Sequence, residues 1–93
     1  MARKKTPNID FIIGMAEDFV NRKDYWNFKL DFMHYFIEKY DAMFREDAIY
    51  TDMISYFLIE NSFEHHRNDP EDKLRKIMKK ALKELKTDNI DIL

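Results

Sequence analysis

The chain has no cysteine, one glycine and two prolines in 93 residues, and no apolar run as long as a membrane span. Each shortage removes a class of protein. Without cysteine there are no disulfides, zinc-thiolate sites or thiol nucleophiles, and the composition suits a reducing compartment. The lone glycine, Gly14, cannot build a phosphate-cradling loop. So little glycine and proline argues against a turn-rich β fold and for long helices on short links. A membrane helix needs about 18 apolar residues, so none is predicted. The opening Met1-Ala2-Arg3-Lys4-Lys5-Thr6-Pro7 is basic like an export signal, but Asp10, Glu17 and Asp18 interrupt the apolar stretch such a signal needs next. The expectation is one cytoplasmic domain over residues 1–93, with residues 1–7 a loose basic arm and 88–93 a loose tail. Eleven lysines against five arginines, with ten isoleucines, suit an AT-rich bacterial, phage or mobile-element genome.

What the chain has in quantity is aromatic surface. Residues 25–63 carry 12 of its 14 aromatic side chains, spaced as on helices rather than strands. The pattern predicts an all-α four-helix bundle with an aromatic core, its helices near 9–21, 25–44, 47–64 and 70–87 and running up-down-up-down. Asn8 is the expected cap of the first helix, whose Ile9, Ile12, Ile13, Ala16, Phe19 and Val20 share one face, widened by Phe11 and Met15. In the second, Trp26, Leu30, Met33, Ile37, Tyr40 and Phe44 keep 4-3-4-3-4 spacing and read as the inward seam. Tyr25, Phe28, Phe32, Phe36 and Met43 form a second stripe beside it. Ile49, Met53, Tyr56, Phe57 and Phe63 are the expected inward set of the third helix. The fourth has Asp69 as cap, Pro70 at its first position, and Leu74, Ile77, Met78, Ala81, Leu82 and Leu85 as a narrower stripe.

The first three arcs cover roughly 200° each, more than a bundle helix needs. Phe11, Met15, Tyr25, Phe28, Tyr50 and Ile54 are therefore the surplus set, a candidate interface for another protein or for a second copy of the chain. On the same wheels Lys29 and Glu60 fall within apolar arcs at matching heights of a helix 2–helix 3 hairpin, which predicts a structural pair in the core.

Candidate chemistry is thin. Asp31, His34 and Glu38 share a helix face but lie opposite the aromatic arc, where a solvated surface explains them. Glu64, His65 and His66 end a helix, where imidazoles suit the dipole, and adjacent histidines point about 100° apart. No serine or threonine sits in a nucleophile motif. No catalytic residue, metal site, cofactor or small-molecule substrate is predicted.

The charge is in blocks. Residues 8–72 hold 6 basic and 15 acidic groups, a net of −9, and the two ends hold 10 basic and 3 acidic groups, a net of +7. Arg3, Lys4, Lys5, Lys76, Lys79, Lys80 and Lys83 are candidate nucleic-acid contacts. An overall pI of 5.9, little arginine to read bases and no aromatics to stack on them weigh against that use. The leading expectation is a small non-enzymatic protein-interaction or regulatory module. A nucleic-acid-binding accessory protein is the alternative.

Overall fold

A computed structural model describes residues 5–22, 27–66 and 68–92, with the backbone alone for 88–92. It is all-α, with four helices: α1 (Pro7–Asn21), α2 (Phe28–Glu46), α3 over residues 48–66, and α4 (Glu71–Ile92). The Cα radius of gyration is 12.9 Å, near the roughly 12 Å expected for this length.

The helix ends follow from local chemistry. Pro7 opens α1 with Thr6 in the cap position, where the fixed φ of proline is pre-set for a first turn. Asn8 therefore lies inside the helix rather than capping it. One extended residue, Asp47, separates α2 from α3, and its carboxylate caps α3 by accepting from the Tyr50 backbone N–H at 3.0 Å. α4 begins at Glu71, one residue later than expected, and Pro70 supplies the carbonyl that accepts from the Leu74 N–H. It runs on to Ile92, so residues 88–92 continue a helix where a loose tail was expected.

α3 changes type along its length. Ala48–Ile54 is α-helical, Ser55–Phe63 is π-helical, and Glu64–His66 returns to α. In the wider stretch the Glu64 N–H donates to the Ile59 carbonyl, and the Ser62 hydroxyl donates to the Phe57 carbonyl at 2.7 Å. Bonding five residues back puts positions four and five apart on one face. The buried residues obey that rule: Ile54, Leu58, Ile59, Ser62 and Phe63. Ile49 and Tyr56, expected inward, are exposed. Each added residue rotates the later part of the helix by about 100° relative to an α wheel. That rotation overturns the predicted core pair: Glu60 is exposed and Lys29 only half-buried.

The core joins all four helices. Phe19 stacks on Phe28 with ring centroids 3.9 Å apart, Phe28 on Phe32 at 4.9 Å, and Phe32 meets Phe63 at 5.9 Å. Ile9, Ile12, Met43, Ile54, Leu58, Leu74, Met78 and Leu85 surround this ladder. Asn8 meets Glu46, Phe11 meets Tyr35, and Phe19 meets Phe28, so α1 and α2 run in opposite directions. α4 packs on α1 and on the π-helical half of α3, while α2 meets α3 chiefly where the two adjoin. The α4 stripe lies inward as expected, with Ile77 half-buried.

Candidate interaction surface

That packing leaves α2 covered on one flank and open on another. Its buried residues are Phe28, Phe32, Phe36 and Met43, the stripe expected to be secondary. The expected seam is turned outward: Leu30 is 70% exposed, Ile37 69% and Phe44 43%, with Met33 and Tyr40 half-buried between them and the core. Trp26 lies outside the described residues. The reversal follows from the neighbours, since α1 and the α3 turn cover about the three-in-seven positions one helix buries. The leftover stripe repeats every seven residues and joins the core through an aromatic ladder. Phe36 meets Tyr40 edge-on at 5.5 Å, and Tyr40 stacks on Phe44 at 6.0 Å. Asp31, His34, Glu38 and Asp41 line the wet side of the stripe.

The surplus set chosen from the wheels is mostly core. Met15, Phe28 and Ile54 are buried and Tyr50 is half-buried, because each lies where two helices converge. Tyr25 lies outside the described residues. Phe11 alone stands out, 57% exposed, with one ring face stacked on Tyr35 at 4.6 Å. Leu30, Ile37 and Phe44 went unrecognised as surface because 4-3 spacing names a seam without saying which partner fills it.

The polar groups with the most contacts fasten α1. At its start, the Glu46 carboxylate accepts from the Asn8 and Ile9 backbone N–H groups at 3.0–3.1 Å and from the Asn8 amide at 2.6 Å. The Tyr35 hydroxyl donates to the side-chain amide oxygen Oδ1 of Asn8 at 2.9 Å. Burial, and then the charge of Glu46, push the Tyr35 hydroxyl pKa up. At the other end, Arg75 donates to the Phe19 carbonyl at 2.8 Å and the Arg22 carbonyl at 3.2 Å, with its guanidinium 4.7 Å from the Phe19 ring centre. An acid at the N-terminus and a base at the C-terminus both suit the helix dipole. Arg75 is thus a structural clamp rather than part of a basic face.

Of the other candidates, Lys5, Lys76, Lys79, Lys80 and Lys83 are exposed, and Arg3 and Lys4 lie outside the described residues. The four α4 lysines take part in no ion pair among the described residues, whereas Lys86 pairs with Glu17 at 2.8 Å. His34 approaches Glu38 at 3.4 Å on the open surface of α2. His66 bonds Asp69 at 2.8 Å and holds its carboxyl below the usual range, aided by Lys73. No three His, Asp or Glu side chains converge as metal ligands among the described residues. A groove of about 440 Å³ between α3 and α4 is lined by Tyr56, Phe57, Asn61, Ser62, His66, Lys80 and Glu84 among others; the Ser62 hydroxyl donates to the Phe57 carbonyl, and His66 bonds Asp69. Comparison with protein-family models, curated proteins and solved structures found no match to this chain.

Proposed function

We propose that the chain is a non-enzymatic protein-interaction module whose working surface is the outer stripe of α2. The observation that carries this reading is the exposure of Leu30, Ile37 and Phe44 at seven-residue intervals on one helix face. A scattered exposed leucine needs no explanation, but an ordered apolar row flanked by charge is the form of a helix-binding surface. Its occupant is an amphipathic helix with apolar residues at three- and four-residue steps. Selection from a displayed random-peptide library tests this. Selected peptides should carry that spacing, and should lose binding to a Leu30→Glu/Ile37→Glu double variant that still melts cooperatively. Peptides with no such pattern, or binding indifferent to the double variant, contradict the reading.

A second reading rests on the α4 lysines Lys76, Lys79, Lys80 and Lys83, four exposed cations that pair with no acid among the described residues. They make a phosphate-contact face for a nucleic-acid accessory protein. Four such contacts give a log–log salt slope near −0.9 per phosphate, roughly −3.6. Fluorescence anisotropy with labelled duplex DNA in rising salt measures it directly. A flat response or no binding at low salt removes this reading.

A further inference from the structure

We infer that the occupant of the α2 face is a second copy of the chain, its α2 laid antiparallel across a two-fold axis at Ile37. This rests on the interaction-module reading and names its partner. Leu30, Met33, Ile37, Tyr40 and Phe44 alternate steps of three and four, the spacing at which one helix seats its side chains between those of another. Pairing of like surfaces about a two-fold axis needs a patch complementary to itself, and this row is. Leu30 stands seven residues before Ile37 and Phe44 seven after, so the axis brings each opposite the other copy's counterpart. Both ends of the contact become leucine on phenylalanine, and the centre isoleucine on isoleucine.

The flanking charges choose the direction. His34 lies three residues before Ile37 and Asp41 four after, on the same side of the row. At 1.5 Å per residue, an antiparallel mate brings its Asp41 to within about 1.5 Å of the height of His34. The pair forms twice, once on each half. A parallel mate would instead turn this side of the row toward the other copy's Met33 and Tyr40, leaving His34 and Asp41 without a charged partner. The contact His34 makes to Glu38 is between two open side chains and is easily exchanged. Asp31, Glu38 and Asp41 beside the row also make it a poor surface for nucleic acid or an anionic membrane. α1 does not obstruct the mate: its Phe11 rests on Tyr35, about 160° around α2 from Ile37.

The absence of cysteine makes the geometry directly readable. Single-cysteine variants Leu30→Cys, Ile37→Cys and Phe44→Cys are oxidised gently, each alone and in mixtures. The antiparallel mate predicts that Ile37→Cys cross-links to itself. Leu30→Cys should cross-link to Phe44→Cys but neither to its own kind. Self-cross-linking of Leu30→Cys overturns the arrangement. So does an unmodified chain that sediments as a monomer at about 100 μM, since even a weak specific dimer would be well populated there. His34→Glu should weaken association about threefold to tenfold, and adding Asp41→Lys should restore it. Failure of that rescue also counts against the pairing. A monomeric chain that still selects heptad-spaced peptides loses only the second copy as occupant, whereas one that selects none loses the interaction reading too.

Discussion

Glu46 and Arg75 hold the two ends of α1 from other helices, and each can be removed singly. Glu46→Ala leaves two backbone N–H groups and an amide without their acceptor. It should lower unfolding stability by about 1–3 kcal/mol in urea, with Glu46→Gln losing less because one oxygen remains. Arg75 is 12% exposed and bonds two carbonyls while lying over Phe19. Arg75→Lys keeps the charge but loses the fork, so a loss of about 1–3 kcal/mol is expected by the same measurement. The pH profile has two signs. The raised Tyr35 pKa means that its contribution is present below about pH 10 and fades as pH rises through the folded value. The lowered Asp69 pKa means that its contribution is present at neutral pH and fades as pH falls below about 4. Thermal melts across pH should show both, with the acid limb shallower in His66→Ala. None of these roles was legible in the sequence. A helical wheel says which face a residue is on, not whose helix end it will reach 38 or 56 residues away.

At the scale of the element, the helices themselves were legible: four periodic segments, with every end but the last within three residues of that observed, since spacing and punctuation act locally; α4 runs five residues past its expected end at 87. The α4 stripe was read correctly at Leu74, Met78, Ala81, Leu82 and Leu85, with Ile77 at its half-buried edge, because one amphipathic face met one core. α2 and α3 were misread for different reasons. α2 has two apolar stripes, and only the layout of its neighbours decides which is buried. α3 changes helix type over Ser55–Phe63, and an α wheel loses phase there. Ser62→Ala should cost about 1 kcal/mol through loss of its bond to Phe57, read from urea unfolding. Gly14 lies within α1, and a Cβ added there would touch nothing within 4 Å. Gly14→Ala should therefore stabilise the chain by about 0.5–1 kcal/mol, visible as a higher melting temperature.

Across the whole molecule, the charge blocks meet within one chain. Arg75 reaches the end of α1 and Lys86 reaches Glu17 on its flank. The lysines left over lie on α4, while the apolar surplus lies on α2. The two faces make separable predictions, since a substitution on one should leave the other's binding unchanged. The surplus itself was visible in the composition and in the widths of the arcs, but its location was not, because Met15, Phe28 and Ile54 were absorbed by packing while Leu30, Ile37 and Phe44 were left outside. Sedimentation equilibrium of the unmodified chain beside Ile37→Glu tests the α2 face most directly. Pairing through that face predicts a mass approaching twice 11.4 kDa for the unmodified chain and a folded monomer for the variant. Equal masses for the two, whether both monomeric or both dimeric, would contradict it.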